Sequence, residues 1–106
     1  MAYIYQVGFD IGEDQLSQLQ IGAPLERTLG YLRILLPSFP GFIAARAMRS
    51  LGTDGRTHLV FETVWDYWED LVNHRRSNLS EDKVLTEFEP HVKLQHLQIQ
   101  VYEEVD

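Results

Sequence analysis

Residues 37–76 read PSFPGFIAARAMRSLGTDGRTHLVFETVWDYWEDLVNHRR. Pro37 and Pro40 stop any preceding helix, because each lacks a backbone donor and crowds the residue before it. Phe42 to Leu51 then reads as a strand, with Ile43, Ala45, Ala47 and Leu51 expected on one face. Thr53-Asp54-Gly55-Arg56 is a hairpin turn, since Asp-Gly suits positive φ. Thr57 to Trp65 is the returning arm and presents Leu59, Phe61, Thr63 and Trp65 on one side. Asp66 is placed to cap a helix in which Trp68, Leu71, Val72 and Arg75 are helically spaced.

Outward from the hairpin, each flank supplies one strand and one helix. Pro24 is expected at the first position of a helix, where its missing N–H costs nothing. Leu25, Leu29, Leu32 and Leu36 form its apolar stripe, and Arg33 points to water. Upstream, Ala2 to Phe9 alternates, placing Tyr3, Tyr5, Val7 and Phe9 on one strand face. Asp10 to Gly22 reads as an irregular connection. Downstream, a break at Ser77-Asn78 precedes a short acidic helix capped by Ser80 and reaching about Phe88, ended by Pro90. Val92 to Tyr102 is the last strand. The order β-α-β-β-α-β predicts one α+β domain over residues 1–106, ferredoxin-like, with a four-stranded antiparallel sheet and its helices on one face. The opposite face would carry Met48, Val60 and Val64, and an apolar face of that size predicts a homodimer through the open sheet faces.

Composition narrows the chemistry. The 106 residues suit one domain that buries roughly two-thirds of its unfolded surface. A net charge of −7 repels phosphate backbones and anionic headgroups, so neither nucleic acid nor a membrane surface is an expected partner. There is no run of 18 apolar residues and no signal-like N-terminus. The absence of cysteine removes disulfides, thiolate metal sites and a thiol nucleophile, and fits a cytoplasmic protein. No histidine spacing matches a metal motif, and Gly41, Gly52 and Gly55 serve turns rather than a phosphate loop, so neither a metal nor another cofactor is expected.

The densest chemistry lies in Phe61 to Arg76. Tyr67, Leu71 and His74 fall on one helical line, so His74 borders the buried stripe and can face a cavity near Trp65. The same histidine, with Arg75 and Arg76, equally suits the negative end of a helix. Trp65 and Trp68 offer rings for stacking and are also large enough to serve as core. Arg46 and Glu62 are expected to pair across the hairpin on one face.

Pro40-Gly41-Phe42, a hairpin, then Trp65, Leu71 and His74 as W-x5-L-x2-H resembles the antibiotic biosynthesis monooxygenase domains, which are dimeric α/β barrels. The likeness spans residues 40 to 75 by motif and the whole chain by element order. It implies a pocket between sheet and helices with Trp65 and His74 as catalytic residues, and Phe61, Tyr67, Trp68 and Leu71 around a small aromatic substrate. The implied reaction is oxidation of a phenolic or polyketide-like compound by O2 without metal, flavin or haem. In place of the Pro-His-Phe-like segment that follows the helix histidine in many of these domains, the chain has Arg76-Ser77-Asn78-Leu79. Gln6 stands nearest the first-strand Asn of haem-degrading relatives, and His74 stands where their Trp would be, so haem degradation is not expected. A non-catalytic ligand-binding or stress-associated barrel is the alternative, and haem binding a third.

Overall fold

The structure is a computed structural model that describes residues 1–12, 18–50, 56–90 and 95–105. Strand β1 covers Tyr3–Gly12 and helix α1 Gln18–Leu35, followed by a 3-10 turn at Leu36–Ser38. Strands β2 (Phe42–Arg49) and β3 (Arg56–Trp65) come next, then helices α2 (Trp68–Ser77) and α3 (Leu79–Phe88), and strand β4 (Gln95–Glu103). The sheet order is β2-β3-β1-β4 with every neighbouring pair antiparallel, the ferredoxin-like arrangement. The expected Asp54-Gly55 turn, Leu51 at the end of the first hairpin arm and Val92 at the expected start of the last strand lie outside the described residues.

The helices cover one sheet face. Tyr5, Val7, Phe9 and Ile11 of β1 and Leu59, Phe61 and Trp65 of β3 meet Leu32, Leu36, Leu71, Val84 and Phe88 there, all buried. Each such side chain contributes about 1.5–3 kcal/mol by leaving water. Arg27 pairs with Glu87 at 2.7 Å and the Lys83 ammonium sits 3.7 Å above the Tyr31 ring, so α1 and α3 are tied at their outer edge.

Several local expectations are corrected. Helix α1 starts at Gln18 rather than Pro24, so part of the expected irregular connection is helical and Pro24 lies inside the helix. A proline there removes one intrahelical donor, and the buried Thr28 hydroxyl donates to the Pro24 carbonyl at 2.8 Å. Ile43 does not share the Ala45 face: the β2–β3 register shifts between Phe42 and Ala44, leaving Ile43 as the extra, exposed residue. That bulge keeps Phe42 on the Trp65 side, ring centroids 5.6 Å apart. Arg33 is exposed as expected, and it also donates to the Ala45 carbonyl at 3.0 Å, which fastens α1 to β2. Neither Asp66 nor Ser80 caps a helix: the cap positions are Tyr67 and Asn78, without side-chain cap bonds.

The open face is less apolar than expected. Val60, Val64 and Met48 share it with the Arg46–Glu62 ion pair, which forms as the spacing predicted, and Gln6 donates to the same Glu62 at 2.8 Å. His58 Nδ1 lies 2.6 Å from Asp10 Oδ1 on this face. No helix among the described residues is long and apolar enough to cross a membrane.

Candidate functional site

At the Ser77-Asn78 break the chain turns sharply from α2 into α3. Asn78 adopts φ 55, the left-handed region that asparagine tolerates better than most residues, and its N–H donates to the Arg75 carbonyl at 3.2 Å. Between this corner and the β1–β4 half of the sheet lies a cleft of about 540 Å³. Tyr5 and Ile99 come from the sheet, Trp68, Leu71 and Val72 from α2, and Glu81 from α3. Arg75, Arg76 and Asn78 line the end nearest the corner.

Three buried polar groups around this cleft have no hydrogen-bond partner: the Tyr5 hydroxyl, both carboxylate oxygens of Glu81, and His74 Nδ1. A buried polar atom left unpaired costs about 1–3 kcal/mol, so such groups need an explanation. Burial raises the Glu81 pKa above the usual carboxylate value. The nearness of its own backbone N–H offsets this only in part, and the Asp82 charge adds to the rise. Desolvation has the opposite consequence at His74, which is lowered to about 4 and is therefore neutral at physiological pH.

His74 and Trp65 stand behind the cleft rather than on its wall. They are 1 % and 0 % exposed, their rings stack at 4.9 Å, and His74 Nε2 shares a 2.8 Å hydrogen bond with the Ser80 hydroxyl. The Trp65 indole donates to Thr63 at 2.9 Å. His74 reaches the cleft through Tyr5, whose ring meets the imidazole edge-on at 5.3 Å. Trp68 and Leu71 line the cleft, and the half-exposed Trp68 ring also packs edge-on against Tyr3 at 5.7 Å. Tyr67 is 64 % exposed at the start of α2 and is not part of the cleft wall. Phe61 lies in the core against Phe9 and Phe88, because its strand position aims it beneath α3.

Sequence reasoning missed Tyr5 and Glu81. Tyr5 carries no signal beyond its place on a buried strand face. Glu81 does: with Val84 and Phe88 it occupies the spacing of the α3 buried stripe, where a carboxylate is out of place.

Comparison with solved structures gives the fold a family context. A Bacillus cereus protein assigned to the antibiotic biosynthesis monooxygenases superposes with a TM-score of 0.67 at 19% identity, over 97% of this chain and 90% of that one. The likeness is one of fold: the chain shares the fold of this antibiotic biosynthesis monooxygenase structure. A Streptomyces coelicolor monooxygenase solved with nanaomycin D matches this chain with a TM-score of 0.65 at 14% identity, over 99% and 88% of the two chains. The Passiflora edulis hydroxynitrile lyase matches it at 0.57 and 22% identity, over 98% and 96%. No protein-family model and no curated protein sequence matches this chain.

Proposed function

We propose that the protein is a cofactor-independent monooxygenase that oxidises a small phenolic or polyketide-like aromatic compound with O2 in the cleft between α2, α3 and the sheet. The observation that carries this reading is the pair of unpartnered buried groups, Glu81 and the Tyr5 hydroxyl, on a cleft wall that also carries Leu71, Val72, Ile99 and the half-exposed Trp68 indole. An aromatic ring stacks on Trp68 and brings hydroxyl groups that Glu81 and Tyr5 lack as partners. A carboxylate whose pKa is raised by burial is a stronger base than one in water and is suited to removing a proton at neutral pH. Tyr5 donates a hydrogen bond to the oxyanion that results.

For an anthrone-like substrate, the ring methylene and one dioxygen molecule become a ring ketone and one water molecule. One oxygen atom stays on the carbon, and the other leaves with both methylene hydrogens. Glu81 takes a ring-activated proton, and the resulting anion passes one electron to O2. The radical pair joins as a peroxide that is protonated to the hydroperoxide; loss of the second ring proton then breaks the O–O bond, leaving the ketone and releasing water. His74 and Trp65 act as positioning residues that hold Tyr5 from behind. The resemblance to monooxygenases of this fold supports the reaction type.

We also propose that two copies pair through their open sheet faces, as Met48, Val60 and Val64 on that face favour. The full packing of Trp65 and His74 favours a second reading, a ligand-binding barrel without catalysis. Oxidation under 18O2 separates the two: the monooxygenase reading predicts one labelled oxygen in the quinone product. The binding reading predicts a bound but unchanged phenol.

A further inference from the structure

The corner end of the cleft differs from the rest of the surface. The chain carries −7, so its far field repels anions, yet two adjacent arginines line this cavity. Arg27, Arg46 and Lys83 are in ion pairs, whereas Arg75 and Arg76, like Arg33 and Arg49, make none among the described residues. Helix termination does not occupy them. Two of the last carbonyls of α2 already have donors: the Ser77 hydroxyl bonds the His74 carbonyl, and the Asn78 N–H bonds that of Arg75. Two guanidinium groups beside an apolar wall, with no carboxylate among the described residues to neutralise them, are suited to bidentate capture of a carboxylate. Among the described residues, the one acidic side chain on the cleft wall is Glu81, whose carboxylate oxygens bond to neither arginine.

We propose that the cleft selects aromatic acids: a phenolic ring lies over Trp68, and a carboxylate on that ring is held by Arg75 and Arg76. This rests on the cleft being the binding site proposed above, and names the class of compound it takes. The carboxylate fixes the ring with one end at the corner, so the hydroxyl-bearing end points along the cleft toward Tyr5 and Glu81. Orientation by a charged handle remote from the reacting atoms is how binding energy becomes positioning.

Calorimetric titration at pH 7 with 6-hydroxy-2-naphthoate, whose hydroxyl and carboxylate lie at opposite ends of the ring, and with 2-naphthol tests the proposal on the intact protein. The acid is expected to bind at least ten-fold more tightly at low salt. That preference, read as the ratio of the two affinities, should fall as salt rises and disappear in the Arg75→Gln/Arg76→Gln variant. Both substituted side chains are exposed, so the variant is expected to fold. Equal affinity for the two compounds, or a preference that survives in the variant, overturns the anion claim and leaves the cleft as a site for neutral phenols. Failure of both compounds to bind overturns the cleft as an aromatic site, and the anion claim falls with it.

Discussion

His74 and Glu81 are two titratable side chains held away from water, and they pull stability in opposite directions with pH. The folded value of His74, about 4, lies below its ordinary 6.5. Below pH 6.5 the unfolded chain therefore gains a proton that the folded chain refuses. Its contribution is complete above pH 6.5 and is lost as pH falls toward 4, by about 3 kcal/mol across the window. Denaturant midpoints measured from pH 7 to pH 4 should show this loss, and a His74→Phe variant that folds should show a flatter profile. Glu81 has a raised value, so the folded chain keeps a proton that the unfolded chain releases, and its contribution is lost as pH rises above 4.5. Glu81→Gln removes that loss and should unfold at higher denaturant than wild type at pH 7, a cost consistent with a side chain kept for chemistry. The sequence showed His74 on the edge of the buried stripe but not that Trp65 and Ser80 close over it. Those contacts join residues distant in the fold, and helical spacing is silent about them. Glu81 was legible as a misplaced carboxylate, whereas the Tyr5 hydroxyl becomes conspicuous only once its surroundings are seen to lack a partner.

The elements were legible where hydrophobic period and strong stop signals agreed. The hairpin arms, the α2–α3 break and the leucine stripe of α1 all follow from local pattern. The start of α1 did not, because Pro24 is a good first residue of a helix and that preference masks a helix already six residues old. The β2 bulge was hidden for a related reason: one extra residue reverses strand alternation without changing composition. Gly41 is the junction these elements depend on. It sits at φ 77, its carbonyl accepts the Asp66 N–H at 2.8 Å, and a Cβ there would press on the Asp70 side chain, 3.0 Å from its Cβ. Gly41→Ala should lower stability by about 1–3 kcal/mol through the strained backbone alone, more if Asp70 has no room to turn. Thermal melting checks this, and an unchanged midpoint would contradict the φ assigned to the turn.

At the scale of the whole molecule, element order fixed the topology, and the structure returns it with the sheet order β2-β3-β1-β4. What the order could not reveal is which half of the helix-covered face stays open, since that depends on how α2 and α3 sit over β1 and β4. The open sheet face carries the dimer proposal: Val64→Glu places a charge beside the buried Glu62 on that face and should shift sedimentation at micromolar concentration from dimer to monomer. A wild type that sediments as a 12.3 kDa monomer would remove that proposal without touching the cleft. The central claim, that Glu81 in this cleft starts oxidation of a bound phenol, is tested most directly by oxygen uptake with an anthrone substrate, comparing wild type with Glu81→Gln. The account predicts substrate-dependent uptake by wild type and a fall of about 100-fold or more in the variant. No uptake above the uncatalysed background, or an undiminished rate in Glu81→Gln, would contradict it.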